Sequence, residues 1–356
     1  MVKNTIKKDQ VYNRGCTSAI PVVMSIMCCI SVLFIFFLSG CKPDERSVVA
    51  YVSVDQVYAE PILEAFEKES GVKVRAVYDV EAAKTTGLTT RLIAEKDHPR
   101  ADVFWNSEFA QTLRLKEQGV LASFKPSTAF ELPDTFRDPA GLWFGIGGRA
   151  RVFLVNRNLL KPEDYPKKLE DFLNPKYPPD RIGMALPLFG TTATHASALF
   201  NVMGDGPARD LFFSMKSRGI RIVDGNAVVR DMVANGQWMF GLTDTDDALG
   251  AIERGAQVDV VAPDQDERGT LIIPGTVAFI RGAPHPQEAA ELINYLLRAE
   301  TERKLIVAGC CQWSLRGDLK AAAMFPNGLK TMSVLLEDVQ KQLTQTMVQM
   351  REIFSR

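Results

Sequence analysis

The hydrophobic pattern of the chain after residue 47 alternates between strand-like and helix-like segments. The runs VVAYVSV, VKVRAVYDV and ADVFW are short and rich in β-branched and aromatic residues, which predicts three strands. Helical spacing of apolar residues occurs between them in PILEAFEKESG and from Glu81 to Lys96, and after them in EFAQTLRLKEQG. This alternation predicts an α/β fold in which helices cover a largely parallel sheet.

The second half of the chain repeats the alternation with longer connections. GLWFGIGGRARVFLVN is glycine-rich where it starts at Gly141 and strand-like from Arg151 to Asn156, and we interpret it as a first crossing between two lobes. RIGMALP predicts a strand, THASALFNVMG a helix, and VDVVAPDQDERGTLIIPGTVAFI two strands around an exposed acidic loop. The second of those strands is the expected return crossing. The segment from Pro286 to Gly309 predicts one long helix, and the last segment predicts a closing helix.

The most apolar stretch of the chain lies in residues 20 to 41. IPVVMSIMCCISVLFIFFLSGC follows a segment with four basic residues and one acid, which is the arrangement of an export signal. The alternative is a permanent membrane anchor, because the run approaches the ~20 residues that a helical span needs. The ending Leu38-Ser39-Gly40-Cys41 resembles the lipobox of bacterial lipoproteins, which implies cleavage before Cys41 and lipid attachment to it. Under either interpretation, residues 42 to 356 work outside the cytoplasmic membrane.

Composition and charge exclude several classes of protein. The chain has 42 basic and 43 acidic residues, and removal of the leader brings the net charge to about −4, so nucleic-acid binding is not expected. About 315 residues remain after Cys41, which is long for one core and favours two lobes. Cys310 and Cys311 form neither a disulfide framework nor a zinc motif, and we interpret them as two small buried residues rather than a strained ring.

Sequence patterns typical of enzymes do not occur in the chain. There is no GxSxG, HExxH or GxxxxGK[ST] motif, and the three histidines fit no Ser/His/Asp arrangement. His98 and His285 each flank a proline in predicted loops, so we expect both at the surface. We therefore predict a binding protein and not an enzyme.

Polar side chains follow several predicted strands, where ligands bind in open α/β sheets. The candidate ligand-binding residues are Ser53, Glu81, Thr85, Asn106, Thr191, Thr192, His195, Asp246 and Asp247. Thr191 and Thr192 offer hydroxyls and a helix start to an anion, although ordinary helix capping explains them equally well. Asp246 and Asp247 suit a cation or sugar hydroxyls, or form an exposed acidic helix start.

Four segments, taken in order, resemble the ferric-ion type of extracellular solute-binding proteins, the capture subunits of ABC importers. They are VYDVEAAKTTGLTTRLIAEKDHPRADVFWNSE, RARVFLVN, PLFGTTATHASALF and IPGTVAFIRGAPHPQEAAELINYLLRAETERKL. The resemblance implies a two-lobed periplasmic-binding-protein fold of type II, with a mixed sheet flanked by helices in each lobe. The expected organisation is a signal peptide (1–40), a tether (41–47), lobe 1 (48–147 plus 273–318) and lobe 2 (148–272 plus 319–356).

The chain departs from this family where the ligand is expected. Ferric binders commonly carry adjacent tyrosines after the strand equivalent to MFGL, whereas this chain has TDTDD at residues 243–247. Phenolate oxygen is a hard donor suited to Fe³⁺. Without it, the candidate metal ligands are Glu81, Asp246 and Asp247. Relatives in the family also bind phosphorylated sugars, phosphonates, thiamine or polyamines, so the ligand stays open between iron and these solutes.

The sequence therefore predicts a monomeric, lipid-anchored solute-binding subunit in the periplasm or at the cell surface. It would deliver ferric iron or a small anionic or phosphorylated solute to the permease and ATPase of an ABC importer. We expect no cofactor, with Fe³⁺ present only as transported ligand. The alternatives are a secreted hydrolase acting on a small phosphoester and a ligand-sensing lipoprotein without a transporter.

Overall fold

The computed structural model describes residues 46–79, 86–127, 132–316 and 329–355. The strands in this part are β1 (Ser47–Ser53), β2 (Lys73–Tyr78), β3 (Val103–Asn106), β4 (Leu121–Ala122), β5 (Phe144–Asn156), β6 (Ile182–Ala185), β7 (Arg221–Val223), β8 (Phe240–Asp244), β9 (Val258–Val261) and β10 (Ile272–Ile280). The α-helices are α1 (Gln56–Ser70), α2 (Thr86–Ala94), α3 (Ala110–Glu117), α4 (Gly190–Met203), α5 (Asp205–Arg218), α6 (Asn226–Ala234), α7 (Thr245–Glu253), α8 (Pro286–Leu296), α9 (Ala299–Val307) and α10 (Leu336–Phe354). None of these helices is long and apolar enough to span a membrane. The predicted α/β class is confirmed.

The strands run in the order β2-β1-β3-β10-β5-β8-β6-β7, with β4 beside β10 and β9 beside β5. β1 is parallel to β2 and β3, and β6 is parallel to β7 and β8. Between these parallel groups, β10 is antiparallel to β3 and β5, and β5 is antiparallel to β8 and β9. Both groups are therefore mixed, and β5 passes from one to the other.

The crossing in β5 takes place at a defined residue. Its first part, 144–150, pairs with β10, and its next residues, 151–155, pair with β8. The apolar residues of the strand are buried on both sides of this point, including Ile146, Val152 and Leu154. β10 pairs with β3, with β4 and with the first part of β5, and its register on β5 shifts between Pro274 and Gly275. The return crossing expected in this strand stays a prediction.

The predicted long helix from Pro286 to Gly309 is wrong, because the structure has two helices in its place. α8 ends at Leu296 and α9 starts at Ala299. Arg298 between them is extended, with ψ 143°, and Thr301 Oγ1 donates a hydrogen bond of 2.7 Å to the Tyr295 carbonyl. This side-chain bond satisfies a carbonyl at the end of α8 and lets the chain turn.

Two further local expectations are corrected. The acidic loop before β10 is not wholly exposed, because Asp264 is buried and accepts hydrogen bonds from Leu169 N (3.2 Å) and from the Arg268 guanidinium. His285 is not a free surface residue, because its backbone N and its Nδ1 both contact the buried carboxylate of Asp102, at 2.7 and 2.9 Å. In both cases a buried carboxylate draws a loop against the core, since such a group requires polar partners.

The final helix α10 contacts elements that precede and follow the β5 crossing. Ser197 Oγ of α4 donates to the Val339 carbonyl, and Gln340 Nε2 donates to Glu117 Oε2 of α3 at 3.0 Å. The helix therefore packs across both halves of the fold. The residue boundaries predicted for the two lobes stay a prediction.

We predict that Gly275→Ala destabilises the crossing, whereas Gly206→Ala does not. A Cβ at Gly275 would lie 2.8 Å from the Ile146 carbonyl and 3.2 Å from the Asn106 carbonyl, so backbone would have to move. Such overpacking typically costs about 1–3 kcal/mol. A Cβ at Gly206, in α5, meets nothing within 4 Å, and alanine there should be neutral or stabilising by up to about 1 kcal/mol. Urea unfolding measures both, and equal midpoints for the two variants would contradict the prediction.

Candidate functional site

Two arginines of β5 project from the crossing between the two halves. Arg149 and Arg151 are two residues apart in an extended strand, so their side chains lie on the same face. Facing them are three carboxylates at the end of β8 and the start of α7, with one oxygen of each within 4.8 Å of the others. The pairs are Arg151 with Asp244 (2.5 Å), Arg149 with Asp246 (2.9 Å) and Arg230 of α6 with Asp247 (3.3 Å).

The Arg151–Asp244 pair is the deepest of the three. Arg151 is 0% exposed and Asp244 is 2% exposed. Arg151 Nη1 also donates to Thr191 Oγ1 and Asn226 Oδ1, each at 3.2 Å, and Nη2 donates to Thr192 Oγ1 at 3.3 Å. Burial alone would raise the pKa of Asp244, but Arg151 and Arg149 hold it below its ordinary value. The pair is therefore charged, and it uses the polar groups at the start of α4.

The outer carboxylates are held less firmly in their charged forms. Burial raises the pKa of Asp246, and Asp244 adds to the effect against the opposing charge of Arg149. Burial together with Asp246 and Asp244 raises the pKa of Asp247 to about 7. A third charge is unfavourable where three carboxylates converge. A positively charged ligand near Asp246 would relieve this repulsion.

A small cavity lies next to Arg149 and Asp246, and we call it the interlobe cavity. Its lining comes from β1, α1, β3, β5, β10, the start of α7 and the segment after α9: Val54, Asp55, Tyr58, Trp105, Asn106, Ser107, Ile146, Gly147, Arg149, Asp246, Gly275, Leu305, Cys310 and Cys311. Its volume is about 30 Å³. Two oxygens in its walls, Asn106 Oδ1 and Asp246 Oδ1, are buried and have no hydrogen-bond partner among the described residues.

Asn106 and Asp246 are the two predicted site residues that the structure brings together in this cavity. Asp247 instead accepts from Arg230 and from Thr243 Oγ1. Ser53 Oγ donates to Asp79. Glu81 and Thr85 lie outside the described residues.

The predicted residues of α4 lie elsewhere. Thr191 Oγ1 donates to Asp244 Oδ2 at 2.6 Å, and Thr192 Oγ1 donates to Asn226 Oδ1 at 3.2 Å, so internal partners already use both hydroxyls. His195 is buried and borders a separate, mostly apolar space of about 10 Å³ with Met184 and others. The structure does not bring these three to the interlobe cavity, and their role in ligand binding stays a prediction.

Several lining residues were missed by sequence reasoning. Tyr58 lies on α1 and reaches the cavity, where burial and the neighbouring Asp246 raise its pKa to about 12. Arg149 lies on the crossing strand, and its Nη2 donates to the Ser107 carbonyl at 2.9 Å. The spacing of Arg149 and Arg151 in an otherwise apolar strand was a signal in the sequence, since buried arginines require partners. For Tyr58 no comparable signal exists.

Comparisons with known proteins agree with this architecture. The family described as bacterial extracellular solute-binding protein matches residues 62–309. Iron uptake protein A1 of Synechocystis sp. is 27% identical over 265 residues, covering 69% of this chain and 68% of that protein. A Salmonella typhimurium protein named for periplasmic binding of 2-aminoethylphosphonate is 24% identical over 289 residues, covering 78% and 81%.

A solved structure supports the fold in the same way. Iron-bound HitA from Pseudomonas aeruginosa superposes with a TM-score of 0.76 at 20% identity, covering 87% of this chain and 99% of that chain. At such low identity the likeness establishes the fold. The predicted type II fold with two lobes is confirmed.

We predict that His195 makes the protein sensitive to acid. Burial, with Arg151 nearby, lowers the pKa of His195 well below its ordinary value of 6.5. Because the unfolded chain then binds a proton that the folded chain excludes, stability falls as the pH drops below about 6.5, by up to about 1.4 kcal/mol per pH unit. In His195→Leu this contribution to the dependence of the unfolding free energy on pH should disappear.

Urea unfolding between pH 7.5 and pH 5 provides the measurement. The matched control is His98→Leu, since His98 is exposed. The control should keep the pH dependence of the wild type. An unchanged slope in His195→Leu would contradict the prediction.

Proposed function

The chain belongs to the family of bacterial extracellular solute-binding proteins, the capture subunits of ABC importers, and we propose that its cargo is a ferric ion held in the interlobe cavity. The observation that carries this proposal is the pair of unpartnered oxygens, Asn106 Oδ1 and Asp246 Oδ1, in the walls of one cavity. A buried acceptor without a partner is costly, so the cavity favours an occupant that is positively charged or donates hydrogen bonds.

The size of the cavity favours an ion. Its volume of about 30 Å³ has room for only a few water molecules, since one water needs about 10–15 Å³ of such space. Pockets for drug-sized ligands typically measure about 300–1,000 Å³. A phosphorylated sugar would therefore require the lobes to separate, whereas a metal ion fits the space as it stands.

The chemistry of the walls suits a hard cation. Asp55 and Asp246 present carboxylates and Tyr58 presents a phenol, and Fe³⁺ prefers such oxygen donors. The tyrosine that is absent after β8 is thus supplied from α1. Because Arg149 shares the cavity, a ferric ion would be accompanied by an anion that the guanidinium can hold.

An aminated phosphonate is the second candidate. Arg149 and Asp246 place opposite charges in the same cavity, which matches a ligand carrying an ammonium and a phosphonate group. One relative is named for such a ligand. This candidate needs the lobes to open further than in the present structure.

We propose that the protein works in the periplasm or at the cell surface, and that lipid at Cys41 holds it near the permease and ATPase of its importer. The periplasmic relatives support the location, and the lipobox-like sequence supports the anchor. The relatives named above are binding or uptake proteins, which supports a protein that captures solute without turnover. A monomer stays our prediction, as do the alternatives of a hydrolase and of a sensor without a transporter.

We predict that Tyr58→Phe and Asp246→Asn each weaken binding of ferric iron, supplied as ferric citrate. Even the loss of a group that only supports a metal ligand costs about 10–100-fold in affinity, so loss of a ligand should cost at least about tenfold. Tyr58→Phe should also remove the visible absorption of an iron–phenolate bond. The matched control is Tyr165→Phe, because Tyr165 donates to Asp259 on β9 and does not line the cavity.

Calorimetric titration measures the affinity of the wild type and variants for iron supplied as ferric citrate, and absorption spectra measure the iron–phenolate band. Unchanged affinity in both cavity variants would refute the ferric proposal. Stabilisation of chelator-treated protein by 2-aminoethylphosphonate, lost in Arg149→Met, would instead favour the second candidate.

A separate prediction concerns the anchor. Cys41→Ser should abolish lipid attachment, since the thiol is the predicted acceptor, while Cys16→Ser in the leader should leave it intact. Mass spectrometry of the N-terminal peptide after expression in a bacterial host measures both. A wild-type protein without lipid would overturn the anchor but leave the cavity proposal untouched.

A further inference from the structure

We propose that Thr112 is a positioning residue for the interlobe cavity, and that it holds the amide of Asn106 so that Oδ1, and not Nδ2, faces the cargo. The inference rests on the proposed function, because it takes this cavity to be the cargo site, but it does not require the cargo to be iron. It adds which part of a cargo the end of β3 accepts, namely a cation or a hydrogen-bond donor.

The amide nitrogen of Asn106 contacts oxygens at the start of α3. Asn106 Nδ2 donates to the Glu108 carbonyl at 2.6 Å and to Thr112 Oγ1 at 3.3 Å, and it lies 3.5 Å from Glu108 Oε1. A carbonyl oxygen can only accept, so the amide atom 2.6 Å from it is the donor nitrogen. A reversed amide would place two acceptors in contact at this point. The neighbours of the amide therefore fix its orientation.

The amide oxygen of Asn106 is the end that is left for the cavity. The side chain is 0% exposed, it lines the interlobe cavity, and its Oδ1 has no hydrogen-bond partner within the part of the chain that the structure describes. Asp246 Oδ1, in the same walls, is buried and unpartnered in the same way. Two such acceptors favour positive charge or a hydrogen-bond donor in the occupant.

A second hydroxyl sets the direction in which Thr112 donates. Thr112 Oγ1 lies 2.7 Å from Oγ1 of Thr276, which is opposite Asn106 in the antiparallel register of β10 and β3. Thr276 Oγ1 donates to the Glu108 carbonyl at 3.4 Å, so the proton between the two hydroxyls comes from Thr112. Thr112 Oγ1 is then the acceptor for Asn106 Nδ2. Both threonines are 0% exposed, so bulk water does not compete for these bonds.

Glu108 is itself held by the start of α3. Its carboxylate accepts hydrogen bonds from Ala110 N at 2.7 Å and from Gln111 N at 2.9 Å, and Thr194 Oγ1 of α4 donates to it at 3.3 Å. A carboxylate is favourable at a helix N-terminus, where backbone N–H groups lack partners within the helix. The Glu108 carbonyl that accepts from Asn106 is therefore part of a well-anchored helix start.

This arrangement gives the cavity a polarity. Asn106 and Asp246 present acceptors, whereas Arg149 presents a positive charge. A ferric ion or an ammonium group belongs at the acceptors, and the accompanying anion or phosphonate belongs at Arg149. Thr112 does not line the cavity, so Thr112→Val changes no group that touches the cargo. It removes one acceptor from Asn106 Nδ2, and the reversed amide then presents a donor to the positive end of the cargo.

Hydrogen exchange of the Asn106 side-chain amide tests the orientation without any cargo. The sample is the full-length chain in detergent with ¹⁵N-labelled asparagine, and Asn106→Asp identifies the resonance by its loss. We expect slow exchange in the wild type and exchange about 2–10-fold faster in Thr112→Val, the range that one lost hydrogen bond gives. Thr112→Ser keeps the hydroxyl and should restore slow exchange.

The matched control is Thr346→Val, the same change at a second threonine that is 0% exposed. Thr346 lies on α10 and does not line the cavity, and its hydroxyl has no partner among the described residues. It should leave the exchange of the Asn106 amide unchanged. Urea unfolding shows that each variant is folded under the conditions used.

Titration with ferric citrate and with 2-aminoethylphosphonate tests the consequence for binding. For the probe that the wild type binds, Thr112→Val should lower the affinity about 2–10-fold, while Thr112→Ser and Thr346→Val should stay within about twofold of the wild type. Three results would overturn the proposal: equal exchange in Thr112→Val and the wild type, no rescue by Thr112→Ser, or faster exchange with unchanged affinity. If neither probe binds the wild type, the proposed function fails, and the exchange rates still decide whether Thr112 positions the amide.

Discussion

The architecture depends on neutralising one buried positive charge where β5 passes from one lobe to the other. Arg151 is the first residue of β5 to pair with β8, and its partner in the antiparallel register is Asp244 itself. Removing one member of such a buried pair typically costs about 3–5 kcal/mol, because the other charge is left without compensation. The register of β8 on β5, the connection between the lobes and the neutralisation of Arg151 therefore depend on the same pair of residues. Any slip of β8 along β5 would separate the two charges.

This constraint explains which parts of the molecule were predictable. The strands and helices follow from local apolar spacing, so most of them agree with the sequence prediction. The break between α8 and α9 escaped it, because the bond from Thr301 to the Tyr295 carbonyl overrides a continuous helical pattern. Thr191 and Thr192 were chosen correctly as polar groups at a helix start. Their hydroxyls nevertheless form hydrogen bonds with Arg151 and its partners Asp244 and Asn226. These contacts depend on the pairing of β5 with β8, which no local sequence pattern reveals.

The cavity was predictable to the extent that it follows from sheet topology. Asn106 ends β3 and Asp246 follows the end of β8, and ligands of open α/β sheets bind at the carboxyl ends of strands. This rule locates the site without any knowledge of side-chain packing. Tyr58 and the two cysteines reach the cavity from α1 and from the turn after α9, so their presence depends on how helices pack on the sheet. Phenol and thiol side chains have no preferred place in such a topology. A pattern-based search therefore finds the location of the site but not its full set of donors.

Several direct contacts between the two halves of the sheet are polar. Arg149 donates to the Ser107 carbonyl, next to β3, and to Asp246 of α7, and Thr194 Oγ1 of α4 donates to Glu108 Oε2 at 3.3 Å. Water can replace such bonds when the lobes open, so each bond contributes only about 0.5–1.5 kcal/mol net to the closed form.

Arg149 also influences which ligand the cavity favours. A cation at Asp246 competes with this guanidinium for the same carboxylate, which leaves Arg149 in need of an anion. The site thus favours a ligand that brings both charges, as a ferric ion with its accompanying anion and a zwitterion both do.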